Sequence, residues 1–140
     1  FTSSFCVLLV ASRLNYVYSC LKPIMKGEAV ELFCSKIKYT REAMASIIKN
    51  KEDRSLAVEA AIKSVGGNML GFYGMLGQKH DAMVIAEFPS KIEYMALIAK
   101  VMAAGAMSDI STITLFTGAD VVKSTTMASV GDVNYQPPEN

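Results

Sequence analysis

Tryptophan is absent from the chain, and histidine occurs once, at His80. A site that needs two histidines within one chain is therefore excluded. Cysteine is scarce, at Cys6, Cys20 and Cys34. The count is odd and no two stand at C-x-x-C spacing, which argues against a disulfide framework or a zinc site and for a reducing compartment, the cytoplasm. An excess of one charge is also missing: 14 basic side chains face 13 acidic ones, for a net charge of +1. Nucleic-acid binders carry a clustered basic surplus, so nucleic acid is not an expected partner. The densest charge run, residues 49–54, mixes both signs and reads as a solvated segment. No apolar run reaches the roughly 18 residues of a membrane-spanning helix, so no membrane partner is expected either.

The chain does contain enough apolar material for one core. Of the 140 residues, 51% are hydrophobic, and the length suits one domain better than two. The best apolar run, residues 5–11, is short; no basic residue precedes it, and Arg13 stands just beyond its end. The first methionine is Met25. We read residues 1–24 as an upstream extension or a leader outside the fold, residues 25–130 as the domain, and residues 131–140 as a polar C-terminal tail.

Residues 29–37 alternate as a strand, with Val30, Leu32 and Cys34 on one face and Phe33, Ser35 and Ile37 on the other. Thr40 is a helix N-cap, the charged run breaks that helix, and Ser55 is read as a new cap. Val58, Ala61, Ile62 and Val65 then fall at helical spacing, and Gly66-Gly67 ends the helix. Residues 68–76 form a second strand, with Gly71 and Gly74 predicting a bulge or a close backbone approach. A hairpin loop at residues 77–79 leads to a third strand, residues 82–88, the most continuous apolar run and so central in the sheet. Ser90 caps a second long helix whose buried stripe is read as Tyr94, Met95, Ile98, Val101 and Met102. Residues 109–117 form a fourth strand, and a terminal helix over 119–128 comes after it.

This order, β-α-β-β-α-β, is a ferredoxin-like plait: a four-stranded antiparallel sheet with its helices on one face. Each strand carries apolar side chains on both faces. A bare sheet face of that content is an interface, and a second copy of the same chain is its natural cover, giving a homodimer. The alternative cover is the C-terminal segment folding back.

Residues 66–89, Gly-Gly-Asn-Met-Leu-Gly-Phe-Tyr-Gly-Met-Leu-Gly-Gln-Lys-His-Asp-Ala-Met-Val-Ile-Ala-Glu-Phe-Pro, resemble the signature of the GYD-domain family. Residues 33–40 and 135–138 are similar to its ends, so the resemblance spans residues 25–138. The family takes its name from a Gly-x-Tyr-Asp turn. Here the turn has one extra residue, and His80 stands at the tyrosine position. The resemblance implies a dimeric α/β-barrel-type plait and says little about activity.

Candidate chemistry is sparse. His80-Asp81 is the sharpest local feature: a histidine beside a carboxylate suits a base or a ligand. The plainer reading is a hairpin end, where Asp81 accepts turn amides and His80 is solvated. Cys34 reads as a small core residue rather than a nucleophile. The glycines at 66–67, 71, 74 and 77 lack a following helix N-terminus and do not form a phosphate loop. No sequence feature indicates a cofactor or a metal. Two functions remain. One is a ligand-binding or regulatory module with a small-molecule pocket on the open sheet face, lined by Phe33, Ser35, Tyr73, Thr112 and Thr114. The other is a small enzyme of the monooxygenase or isomerase type, with His80 or Tyr73 as proton shuttle. The distinguishing feature is whether His80 faces a cavity.

Overall fold

The computed structural model describes residues 29–131 and 133–139. The extension read at residues 1–24 lies outside the described residues. The elements are β1 (Glu31–Tyr39), α1 (Arg41–Asn50), α2 (Arg54–Ser64), β2 (Asn68–Gly74), β3 (Ala82–Phe88), α3 (Lys91–Ala103), β4 (Met107–Leu115) and α4 (Gly118–Val130). One antiparallel sheet runs β2-β3-β1-β4, so each helical crossover skips one strand and β3 and β1 occupy the centre. That is the ferredoxin-like plait, with the third strand interior as its apolar run requires.

Register assigns the two faces. Phe33 pairs with Ala86 and Thr114, Ser35 with Val84 and Thr112, and Ile37 with Ala82 and Ile110. Directly opposed residues point the same way, so these rows share one face. Phe33, Ile37, Val84 and Phe88 belong to a buried cluster that Met44, Ile47, Val58, Leu97 and Ile98 cover from α1, α2 and α3. The helices therefore lie on this face. The opposite face carries Leu32, Cys34, Met83, Ile85, Ile113, Leu115 and Tyr73, and none of these belongs to the helix-covered cluster. Cys34 is buried there, flanked by Ile85 and Ile113. The register shift between Met69 and Gly71 is the bulge that glycine predicts in β2.

The helix boundaries follow from their caps. The Thr40 side chain accepts the Ala43 amide at 3.2 Å, and Lys51 ends α1 in the left-handed region at φ 51°. The second helix starts on Asp53, not on Ser55: the Asp53 carboxylate accepts both the Ser55 amide (2.9 Å) and the Ser55 hydroxyl (2.6 Å). A carboxylate outcompetes a hydroxyl as acceptor, so the cap falls two residues earlier. Gly67 closes α2 onto β3. A Cβ there would sit 2.8 Å from Ile62 Cγ2 and 2.9 Å from the Glu87 carbonyl oxygen, too close for any side chain.

The inward stripe of α3 is Tyr94, Leu97, Ile98 and Val101. Met95 and Met102 are exposed, contrary to the sequence reading, because positions 95 and 102 lie about 100 degrees round the helix from 94 and 101. Every residue of α4 is exposed, so the terminal helix does not bury the open sheet face.

Candidate functional site

Between sheet and helices lies a cavity of about 60 Å³. Sheet residues Phe33, Ser35, Ile37, Val84, Ala86 and Phe88 form its floor. Val58, Ala61 and Ile62 of α2 and the inward stripe of α3 form its roof, with Met107 and Ile110 of β4 at one side. No charged side chain lines it. Since one water needs about 10–15 Å³ on the same measure, the space holds a few waters or a few non-hydrogen atoms of a ligand.

Its polar corner is built by three hydroxyls. Tyr94 Oη lies 2.9 Å from Ser35 Oγ and also hydrogen-bonds Thr112 Oγ1. Ser35 is 8% exposed and Tyr94 also 8%. Thr112 is exposed, at the rim. The Tyr94 ring is fixed from two sides: it stacks on Phe33 at 4.3 Å between centroids and meets Phe88 edge-on at 5.3 Å. Three hydroxyls bring three hydrogens, and two hydrogen bonds consume two of them. Whichever way the chain is oriented, one O–H is left to donate elsewhere. The cavity thus has an apolar wall beside a hydroxyl chain with one spare donor, which falls on Ser35, Tyr94 or Thr112 according to the chain's orientation.

The residues expected to line a pocket do not all meet here. Phe33 and Ser35 line the cavity and Thr112 joins through Tyr94. Thr114 shares their face, opposite Phe33, but is exposed and does not line it. Tyr73 pairs with Met83 on the other face and is 53% exposed. This cavity lies on the helix-covered face and not on the open sheet face, because the strands' alternation turns Phe33 and Ser35 toward the helices. Sequence reading missed Tyr94 as a polar contributor, because a tyrosine in an apolar helical stripe reads as packing. Its hydroxyl becomes relevant only once Ser35 and Thr112 are placed opposite it.

His80 departs from its expected solvated state. It is 7% exposed, and its Nε2 lies 3.0 Å from Asp109 Oδ2. The neighbouring Asp81 does what a hairpin-end carboxylate does: its Oδ2 accepts the Tyr39 amide at 2.9 Å. Asp81 also donates its own amide to the Ile37 carbonyl, and Lys38 Nζ donates to the Lys79 carbonyl. The whole loop end is thus fastened to the end of β1, and His80 reaches past it to β4. Asp109, 29 positions away, could not be paired with His80 from sequence. Neither residue lines the cavity, and Tyr73 is on the opposite face. The two candidate proton shuttles therefore stand apart from the enclosed space.

Among the described residues no group of three or more His, Cys, Asp or Glu is placed to hold a metal. Among them, too, no helix is long and apolar enough to cross a membrane. No curated protein matches the chain. The GYD domain family model matches residues 33–124, from the third residue of β1 into α4. The match covers the plait, the cavity and the hairpin whose sequence carries the resemblance, and the chain belongs to the GYD domain family.

Proposed function

We propose that this protein is a small homodimeric ligand-binding or regulatory module of the cytoplasm. Its ligand is neutral and compact, mostly apolar, with one oxygen that accepts a hydrogen bond. The observation that carries the reading is the Ser35–Tyr94–Thr112 trio with one O–H to spare, set at the edge of a cavity with no charged lining. A charged ligand would lose its hydration there without compensation, whereas a ketone, phenol or alcohol meets both wall and donor. The dimer reading rests on the uncovered apolar sheet face, and the compartment on the cysteine usage.

The test is a panel of small ketones, phenols and alcohols, followed by methyl NMR of the full chain. Binding should move the methyl signals of Val58, Ile62, Leu97 and Ile98. Tyr94→Phe should weaken that binding, whereas Tyr73→Ala should leave it unchanged and weaken self-association. Shifts at Met83 and Ile113 in place of these would put the ligand on the open face and end the proposal.

A further inference from the structure

The terminal helix is the one described element in which every residue is exposed. It is also a poor candidate for a free-standing helix. Val121, Val122, Thr125, Thr126 and Val130 are β-branched, and Ser124 and Ser129 add little propensity. At 13 residues it has a length at which even alanine-rich peptides are marginal in water. A capping box between Thr117 and Asp120 defines its start, but a cap alone does not stabilise the remaining turns.

The surface of this helix is prepared for contact. Its charged side chains are Asp120, engaged in the capping box, and Lys123; the other residues carry no charge. The Ser124 and Thr125 hydroxyls donate to the Val121 carbonyl, Thr126 to that of Val122, and Ser129 to that of Thr125. Each hydroxyl is thereby satisfied within the helix, and the outward surface is methyl and methylene with small side chains. Such a surface loses little on desolvation.

Among the described residues a second surface is uncovered, the open sheet face. Four strands at about 4.8 Å spacing and about seven residues at 3.3 Å give a flat footprint of about 440 Å². A standard stable interface takes about 800 Å² from each partner. A 13-residue helix lays down a strip about 20 Å by 10 Å, or about 200 Å². If each copy gives one helix and receives one, the footprint rises to about 800 Å².

We propose that α4 is an exchanged arm. Two copies close sheet to sheet, and each arm lies on the second copy along its β2 edge and the loop that follows, where Leu70, Tyr73 and Leu76 stand exposed. The inference rests on the dimeric reading above, and the two fail separately in one experiment. Light scattering of the full chain is combined with hydrogen exchange at residues 118–130, at concentrations above and below dissociation. The expected result is a dimer in which the arm amides exchange at least about 100-fold more slowly than in a free peptide, with that protection lost on dilution to monomer. Val121→Lys together with Ala128→Lys should raise the dimer dissociation constant at least about tenfold. A dimer whose arm exchanges at the free rate overturns the arm and leaves the sheet-to-sheet pairing standing. Protection that survives dilution overturns the exchange, since the arm then docks on its own domain. A monomer at all concentrations overturns both.

Discussion

Removing a single oxygen, by Tyr94→Phe, tests the polar corner of the cavity most directly. The ring contacts survive, because stacking on Phe33 at 4.3 Å and the edge contact with Phe88 need no hydroxyl. No cavity is created, so the loss is confined to hydrogen bonding. Thr112 is exposed and exchanges Tyr94 for water at little cost. Ser35, at 8% exposure, cannot do so and is left with a buried hydroxyl facing apolar neighbours. A buried group that loses its partner costs about 1–2 kcal/mol. For a domain of this size that lowers the melting temperature by about 5–10 °C. Urea denaturation should show a lower midpoint with an unchanged slope, because the buried area is the same. Ser35→Ala in the Tyr94→Phe background removes the orphaned hydroxyl and should recover part of the loss, for a coupling of about 1 kcal/mol in the double-mutant cycle. If Tyr94→Phe left the midpoint unmoved, or the two substitutions were strictly additive, the hydroxyls would not act as a unit and no spare donor would follow from their pairing.

Three further outcomes are expected. Gly67→Ala forces a methyl against Ile62 and the Glu87 carbonyl and should cost about 1–3 kcal/mol by thermal denaturation, whereas Gly71→Ala meets only the tip of the exposed Tyr73 ring, which can swing away. His80→Ala releases the hairpin end from Asp109; because Asp109 is half exposed, the global loss should stay near about 1 kcal/mol, with hydrogen exchange rising first around residues 75–81. The Asp53 carboxyl is held below its ordinary value of 3.8, first by the Ser55 hydroxyl and then by the Ser55 amide. The folded state therefore binds fewer protons than the unfolded chain in that range. The contribution is full above the unfolded pKa and is lost as pH falls through the folded one, so Asp53→Asn should flatten the acid limb of a stability-against-pH curve.

Local chemistry made most of the fold legible. Period-two alternation marked β1, a continuous apolar run marked β3, and the glycine content of β2 announced its bulge. The hydroxyls of Thr40 and Ser90 identified helix starts by themselves, since capping is decided within about three residues. Where two local signals competed, as at Asp53 and Ser55, the stronger acceptor won. Where a stripe was read too broadly, as at Met95 and Met102, the sheet's position selected one face of the helix. The opposite holds for the site. Alternation says that Phe33 and Ser35 share a side and that Tyr73 belongs to some side of another strand, but not which side the helices cover. Handedness of the crossovers and register across the strands decided that, and so brought Ser35, Tyr94 and Thr112 together while sending Tyr73 to the far face. The same long-range register joined His80 to Asp109. The sequence alone thus determined the elements, their order and the family, because those depend on neighbours along the chain. The tertiary structure decided which hydroxyls meet, which face is enclosed and which helix the other described elements leave exposed, because those depend on contacts between residues far apart in sequence.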